Sequence, residues 1–285
     1  MLNKPTVMVR NLSKTYSVGK NGSERSIFQR SNRIRVEALK DVSFVTYTGE
    51  SIGILGRNGS GKTTLLNLIA GNETASNGEI LVSAQPTYLG VSAALQNHLS
   101  GAANVRLGLL AMQLSREEVL AKEEQVLEWA ELQEASDRPL RTYSSGMRAR
   151  LQFAISTAVK REILLVDEAL STGDSTFSAK ARNRMNEFLE ESGTVFIVSH
   201  APGTIERYCK RSIWLHKGEI IADGRTRMVT KYYRQWAERE AKGNFRGAEI
   251  VIENMKLRYE PKNLILASEE KTVFGNTELK SSHSQ

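Results

Sequence analysis

Residues 7–16, VMVRNLSKTY, show the near-alternation of apolar and polar positions that marks a strand. The stretch that follows, SVGKNGSERSIFQRSNRIRVE (17–37), is polar and basic and reads as a loop or a short helix. ALKDVSFVTYTGESIGILG then supplies two strand-like runs parted by the turn signal Thr48-Gly49-Glu50. Behind it, KTTLLNLIAG predicts a helix with Leu65, Leu66, Leu68 and Ile69 on its apolar face and Gly71 closing it. NGEILVSAQPTYL returns to strand character. From about Ser92 to Val159 the period is helical. One helix there opens at Ser115 with Glu118 completing a capping box, and Val119, Leu120, Val126, Leu127 and Ala130 form its apolar side. Another opens in TYSSGMRARLQFAIS, where Ser144 or Ser145 can cap and Leu151, Phe153 and Ile155 continue as an apolar stripe. EILLVDEA and GTVFIVSH are unbroken apolar runs of the kind buried in parallel sheets, and the helical FSAKARNRMNEFLEE between them makes a βαβ unit. RSIWLHKGEIIADG reads as a hairpin turning at Lys217-Gly218. TRMVTKYYRQWAEREAK reads as a basic, aromatic-bearing helix, and everything from Gly243 on as a polar tail.

Composition narrows the picture modestly. The 285 residues, 40% hydrophobic and 25% charged, fit one large globular unit or one unit with a subdomain and a tail. A net charge of +7 suits nucleic acid or an anionic membrane surface without choosing between them. The single cysteine, Cys209, excludes an internal disulfide framework, fits a reducing cytosol and is expected to be a plain half-buried thiol. No apolar run nears the roughly 18 residues of a spanning helix, and the N-terminus lacks the apolar core of a signal peptide. The chain is therefore expected not to cross a membrane by itself.

The chemistry concentrates in three places. Gly56-Arg57-Asn58-Gly59-Ser60-Gly61-Lys62-Thr63, followed by Thr64, is a phosphate-binding P-loop set after a strand and before a helix. Its glycines let backbone N–H groups turn inward around phosphates, Lys62 adds a point charge, and the Thr63 hydroxyl suits Mg²⁺. Ile163–Val166 leads into Asp167 and Glu168, the first placed to hold Mg²⁺ opposite Thr63, the second to orient or deprotonate a water. His200 closes the next strand at the carboxyl edge, where ligands of α/β sheets bind, and is expected to touch a γ-phosphate. The third place is the helix start at Ser144, Ser145 and Gly146, which offers unpaired N–H groups and a dipole end to a second anion.

These parts resemble the ATP-binding-cassette ATPase family, and the resemblance covers nearly all of residues 6–225. It implies an α/β fold: a P-loop ATPase core with a mixed sheet, an antiparallel β subdomain, a helical subdomain and a short C-terminal extension. The core is expected at 1–91 and 159–225 with the basic insert 17–37, the helical subdomain at 92–158, and the C-terminal helix and tail at 226–285. The family's signature, usually Leu-Ser-Gly-Gly-Gln, is replaced by YSSGM (143–147). The resemblance implies a head-to-tail homodimer, with Ser144, Ser145 and Gly146 facing the γ-phosphate of ATP held by the other cassette's P-loop. It further matches Asp174 to the loop that crosses this interface and Tyr16 to the aromatic that stacks on adenine. The family's usual glutamine at the entry to the helical insert is missing from PTYLGVSAALQNHLSG: Gln85 falls too early and Gln96 too late, with Ser92 the nearest polar candidate.

Within the family, YSSGM, the basic insert, DEALSTGDSTFSAKARNRMNEF and LGVSAALQNHLSG look most like the polysaccharide exporters, above all the ATP-binding subunit of the wall teichoic acid exporter. That resemblance implies a cassette dimer beneath two copies of a separate polytopic permease, at the cytoplasmic face of the membrane. Its cargo is a polyprenyl-diphosphate-linked glycopolymer, and no nucleic-acid partner is expected. An O-antigen, capsular or galactan exporter ATPase is the alternative, and a soluble non-transport cassette a more distant one. A single P-loop argues against ribosome-acting cassettes, the lack of long coiled coils against DNA-repair ones, and the signature helix against a P-loop kinase. The tail from Gly243 is too short for the β-sandwich of about 100 residues that some O-antigen relatives append. Lys20, Arg25, Arg30, Arg33 and Arg35 are either a surface for anionic headgroups or lipid diphosphate, or a solvated loop.

Overall fold

The computed structural model describes residues 4–19, 33–89, 95–159, 161–166, 193–260 and 264, with residues 177, 179, 180, 183, 184, 186, 187 and 190 of the intervening stretch. Two sheets carry the fold. The smaller is antiparallel, in the order β2-β1-β4, from β1 (Pro5–Gly19), β2 (Arg33–Tyr47) and β4 (Asn77–Val82). The larger has the order β5-β6-β7-β3-β8-β9. In it β5 (Thr87–Leu89), β6 (Ile163–Val166), β7 (Thr194–Ser199), β3 (Glu50–Leu55) and β8 (Arg211–His216) run parallel, and β9 (Glu219–Arg225) returns antiparallel.

The unbroken apolar runs have a direct cause: both faces of the larger sheet are covered. Along β7, Phe196 and Val198 pack with Phe44, Leu65 and Leu66 on one side, while Val195 and Ile197 pack with Trp214, Ile205 and Phe177 on the other. The period-2 alternation of side-chain direction thus assigns successive apolar residues to two different cores. The first face takes α1 (Lys62–Ile69) and the antiparallel sheet; the second takes α5 (Pro202–Tyr208), α6 (Thr226–Ala241) and α7 (Phe245–Lys256). A third core lies among α2 (Gly101–Ala111), α3 (Arg116–Ala130) and α4 (Ser145–Ser156). It meets the second through an aromatic joint: Trp129 of α3 stacks on Phe153 of α4 at 5.3 Å and meets Phe177 edge-on at 5.4 Å.

Buried polar groups tie the two sheets together. The Thr6, Thr46 and Thr194 hydroxyls form a chain at 3.1 and 2.6 Å, and Thr194 donates on to the Tyr47 carbonyl at 3.1 Å. Arg211 grips Asp223 through two nitrogens at 2.7 and 2.6 Å and reaches the Val45 carbonyl and Glu50, so it joins β8 and β9 to β3 and β2. Lys217 and Gly218, both at positive φ (51° and 84°), make the tight turn between β8 and β9, the conformation that two-residue hairpins favour.

Several expectations change. The ends of the basic stretch are strand: Arg33 pairs with Gly19 and Arg35 with Ser17, extending β2 and β1. Lys20, Arg25 and Arg30 lie outside the described residues. NGEILVSAQPTYL is two strands in different sheets, parted at residues 83–86. Leu120 is 67% exposed, so the apolar side of α3 is Val119, Val126, Leu127 and Ala130 alone. The stretch after Gly243 begins with a helix, α7, capped by the Asn244 side chain and burying Ala248, Val251 and Met255. Its stripe has only three members at helical spacing, too few to stand out from a polar background.

Cys209 is more deeply buried than expected, at 5% exposure. Desolvation pushes its thiol pKa up to about 12. Since only the neutral thiol suits this site, its contribution to stability is present at neutral pH and is lost as pH rises from the ordinary thiol value toward about 12. The folded protein is expected to resist iodoacetamide at pH 8 and to be alkylated once urea unfolds it, as read by intact mass.

Candidate functional site

The strand ends that converge on one edge define the site. Leu55, the last residue of β3, pairs with Ser199 of β7 on one side and Trp214 of β8 on the other. The P-loop therefore leaves the sheet beside His200, which follows β7 and is exposed. On the far side of β7 stands β6, with Val166 paired to Ile197. Asp167 and Glu168, which follow β6, and Asp174 lie outside the described residues, as does Ser92.

The loop is held from behind by main-chain contacts. Ser60 donates its N–H to the Arg57 carbonyl at 3.1 Å, and the hairpin turn reaches in through the Gly218 N–H to the Ser60 carbonyl at 3.1 Å. Gly61 has φ 104°, and a Cβ there would stand 2.5 Å from the Ala38 carbonyl oxygen, so the loop needs a glycine to rest on β2. Gly61 is also the N-cap of α1: no side chain caps this helix and no acidic residue stands in its first turn. The helix start is thus left open to an anion.

Lys62 is buried, at 7% exposure, and its ammonium turns back to the Gly56 and Arg57 carbonyls at 2.7 and 2.9 Å. The Ser60 hydroxyl is buried with no hydrogen-bond partner among the described residues. An uncapped helix start, a buried ammonium at the mouth of that helix and a buried hydroxyl unsatisfied among the described residues together fit a polyphosphate group. Arg57, Asn58 and Gly59 form the exposed crest of the loop. Thr63 is exposed at the first turn of α1, where its hydroxyl can ligate Mg²⁺; Thr64 is half-buried beside it.

Two contacts of this loop region were not foreseen from sequence. Arg57 pairs with Glu240 near the end of α6 at 2.8 Å, linking the loop's crest to the C-terminal helices. Tyr16 lies on β1 opposite Val36 and donates its phenol to Glu73, just beyond α1, at 2.5 Å. Burial, then the Glu73 hydrogen bond, raises the Tyr16 pKa, while a hydrogen bond with Thr64 opposes the rise and places the ring by the loop. No local pattern in the sequence announces either acid.

The second anion-receptive helix start is present and turned outward. Ser144 caps α4 by accepting the Met147 N–H at 3.2 Å, no acid stands in the first turn, and Ser144, Ser145 and Gly146 are all exposed. Tyr143, one residue before, is buried and donates to the Ala135 carbonyl at 2.6 Å, which fixes where the helix begins. Among the described residues no hydrogen bond or ion pair joins residues 144–146 to the loop 56–63 of the same chain. Of the two glutamines near the missing position, Gln85 donates its side chain to the Ala70 carbonyl at 3.1 Å, and the main chain of Gln96 is held by the buried Asn104 side chain.

The sequence pattern of the ABC transporter family matches residues 39–171. Over 239 residues the chain is 39% identical to the teichoic acids export ATP-binding protein TagH of Enterococcus faecalis, covering 82% of this chain and 53% of that protein. It is 35% identical to TagH of Staphylococcus haemolyticus, covering 81% of this chain and 89% of that one. The chain spans about half the length of the relatives from Enterococcus faecalis and Bacillus cereus. Among solved structures, a dimeric ATP-binding cassette in a post-hydrolysis state with ADP and Pi is similar, with a TM-score of 0.62 and 25% identity, over 77% of this chain and 98% of that chain.

Proposed function

We propose that this chain, which belongs to the ABC transporter family and within it to the teichoic acids export ATP-binding proteins, hydrolyses ATP to drive export of a lipid-linked teichoic acid or related cell-surface glycopolymer. The observation that carries the reading is the pair of anion-receptive helix starts, one inside the P-loop and one exposed at Ser144 and, among the described residues, not bonded to that loop. A single cassette leaves the second start idle. Two cassettes related by a two-fold axis employ both, each lending Ser144, Ser145 and Gly146 to the phosphates held by the other.

In this mechanism the N–H groups of residues 56–63 cradle the phosphates and Lys62 exchanges its two carbonyls for phosphate oxygens. Tyr16 supports the base. Bound Mg²⁺ supplies charge neutralisation, and Thr63 and Asp167 are the residues to hold it. Glu168 accepts a proton from, or orients, the attacking water; His200 steadies the γ-phosphate; Asp174 approaches the partner across the interface. ATP closes the dimer and hydrolysis lets it open, and this cycle moves two copies of a polytopic permease at the cytoplasmic face. No helix among the described residues is long and apolar enough to cross a membrane.

Ser144→Arg is expected to lower ATP hydrolysis of the dimer at least roughly tenfold while leaving ATP affinity of the monomer within about twofold. It places a bulky cation at the positive end of a helix and in the partner's phosphate site, and touches no P-loop contact of its own chain. Steady-state hydrolysis beside titration calorimetry separates the two. The export reading is tested by affinity purification from gently solubilised membranes of the host. Recovery of a polytopic permease supports it; recovery with ribosomes or nucleic acid and no permease contradicts it.

A further inference from the structure

A side-chain network runs under the expected base site from the P-loop helix to β1. Tyr88 donates its phenol to Asn67 Oδ1 at 3.0 Å, and Asn67, on α1, donates its amide to Glu73 Oε1 at 3.4 Å. The other Glu73 oxygen accepts the Tyr16 phenol at 2.5 Å and pairs with Lys14 at 3.2 Å. Lys14 also donates to the Thr74 carbonyl at 2.7 Å, and its ammonium stands 5.0 Å from the centre of the Tyr16 ring. Glu73 thus touches the phenol, the cation beside the ring and the P-loop helix together.

We infer that Glu73 is a positioning residue for nucleotide binding: it pins the Tyr16 ring, through its hydroxyl and through Lys14, in the plane that receives the purine, and ties that plane to α1 through Asn67. The inference rests on the reading of Tyr16 as the base platform and adds to it what sets the ring's orientation. A half-buried tyrosine side chain can swing about χ1 and χ2, and stacking rewards only one plane. Fixing the hydroxyl removes that freedom before the nucleotide arrives, so less ordering is left to the binding step. The Asn67 link keeps the distance from ring to P-loop constant, which a ligand with a base at one end and phosphates at the other requires. With its hydrogen spent on Glu73, the phenol has no donor left for the ligand and presents the ring face to it.

The test compares ATP with inorganic tripolyphosphate, which shares the phosphates and lacks the base. Titration calorimetry on the full chain measures both ligands against Glu73→Ala, Glu73→Gln and Tyr16→Ala. Glu73→Ala is expected to weaken ATP roughly 5- to 10-fold, within the worth of one base–aromatic stack, and to leave tripolyphosphate within about twofold. Glu73→Gln, which keeps an acceptor for the phenol, is expected to recover most of the loss. If Tyr16→Ala weakens ATP while Glu73→Ala does not, the positioning role is wrong. Equal weakening of both ligands by Glu73→Ala also overturns it, since the residue then acts through the P-loop. If Tyr16→Ala leaves ATP affinity unchanged, the base platform itself is misassigned and the inference falls with it.

Discussion

Lys62→Ala is expected to weaken ATP binding by at least about two orders of magnitude while the protein stays folded. In the absence of ligand the ammonium is held by the Gly56 and Arg57 carbonyls inside the loop. Those carbonyl oxygens carry only a partial charge, and phosphate oxygens carry a formal one, so the exchange on binding replaces two ion–dipole contacts with ion–ion hydrogen bonds in a partly desolvated site. Alanine keeps the helix and removes the only cation among residues 58–64. Two orders of magnitude correspond to about 2.7 kcal/mol, in the range for deleting a buried charged donor. Calorimetric titration of the variant checks the affinity, and an unchanged thermal midpoint without ligand checks the fold. Retained affinity would remove the P-loop from the account.

Glu168→Gln is expected to lower the hydrolysis rate at least about a hundredfold and to leave ATP affinity close to that of the parent. The two side chains have the same shape, so the exchange removes a negative charge and a proton acceptor and little else. The phosphate cradle, built from residues 56–63, is untouched. ATP then stays intact between two cassettes, and a closed dimer accumulates that the parent populates only briefly. Single-turnover hydrolysis and sedimentation in ATP report the two effects separately. A variant that turns over at the parent rate assigns the water's activation to another group.

The parts that were legible in the sequence share one property: their information is local. The P-loop is set by glycine spacing within eight residues, and Gly61 has the positive φ that this spacing demands. The capping box at Ser115 and Glu118 forms as read, with both reciprocal hydrogen bonds present. The hairpin turns at Lys217-Gly218 as read, with Gly218 supplying left-handed backbone at no steric cost and Lys217 held at positive φ beside it. What escaped depends on partners distant in the chain. Glu73 is 57 positions from Tyr16 and Glu240 is 183 from Arg57, so neither sits in a pattern that a window of sequence displays. NGEILVSAQPTYL gives one apolar signal, yet its halves pair with β1 and β6, a choice made by tertiary contacts and not by propensity. Leu120 matched the helical period and still faces outward, since α3 is covered on one side only. The roles of Asp167, Glu168 and Asp174 rest on the family resemblance and on the strand that leads to the first two.

The central claim is that the start of α4 serves the P-loop of a second copy, and cysteine cross-linking tests it most directly. Asn58 and Ser145 are both exposed, and the native Cys209 is too deeply buried to compete. In the double variant Asn58→Cys/Ser145→Cys, mild oxidation with ATP under non-hydrolysing conditions is expected to give a covalent species of twice the 31.7 kDa chain mass. Without nucleotide the yield should fall to background, and neither single variant should form the product. Cross-linking that is indifferent to ATP, or a link formed within one chain, would contradict the two-cassette site.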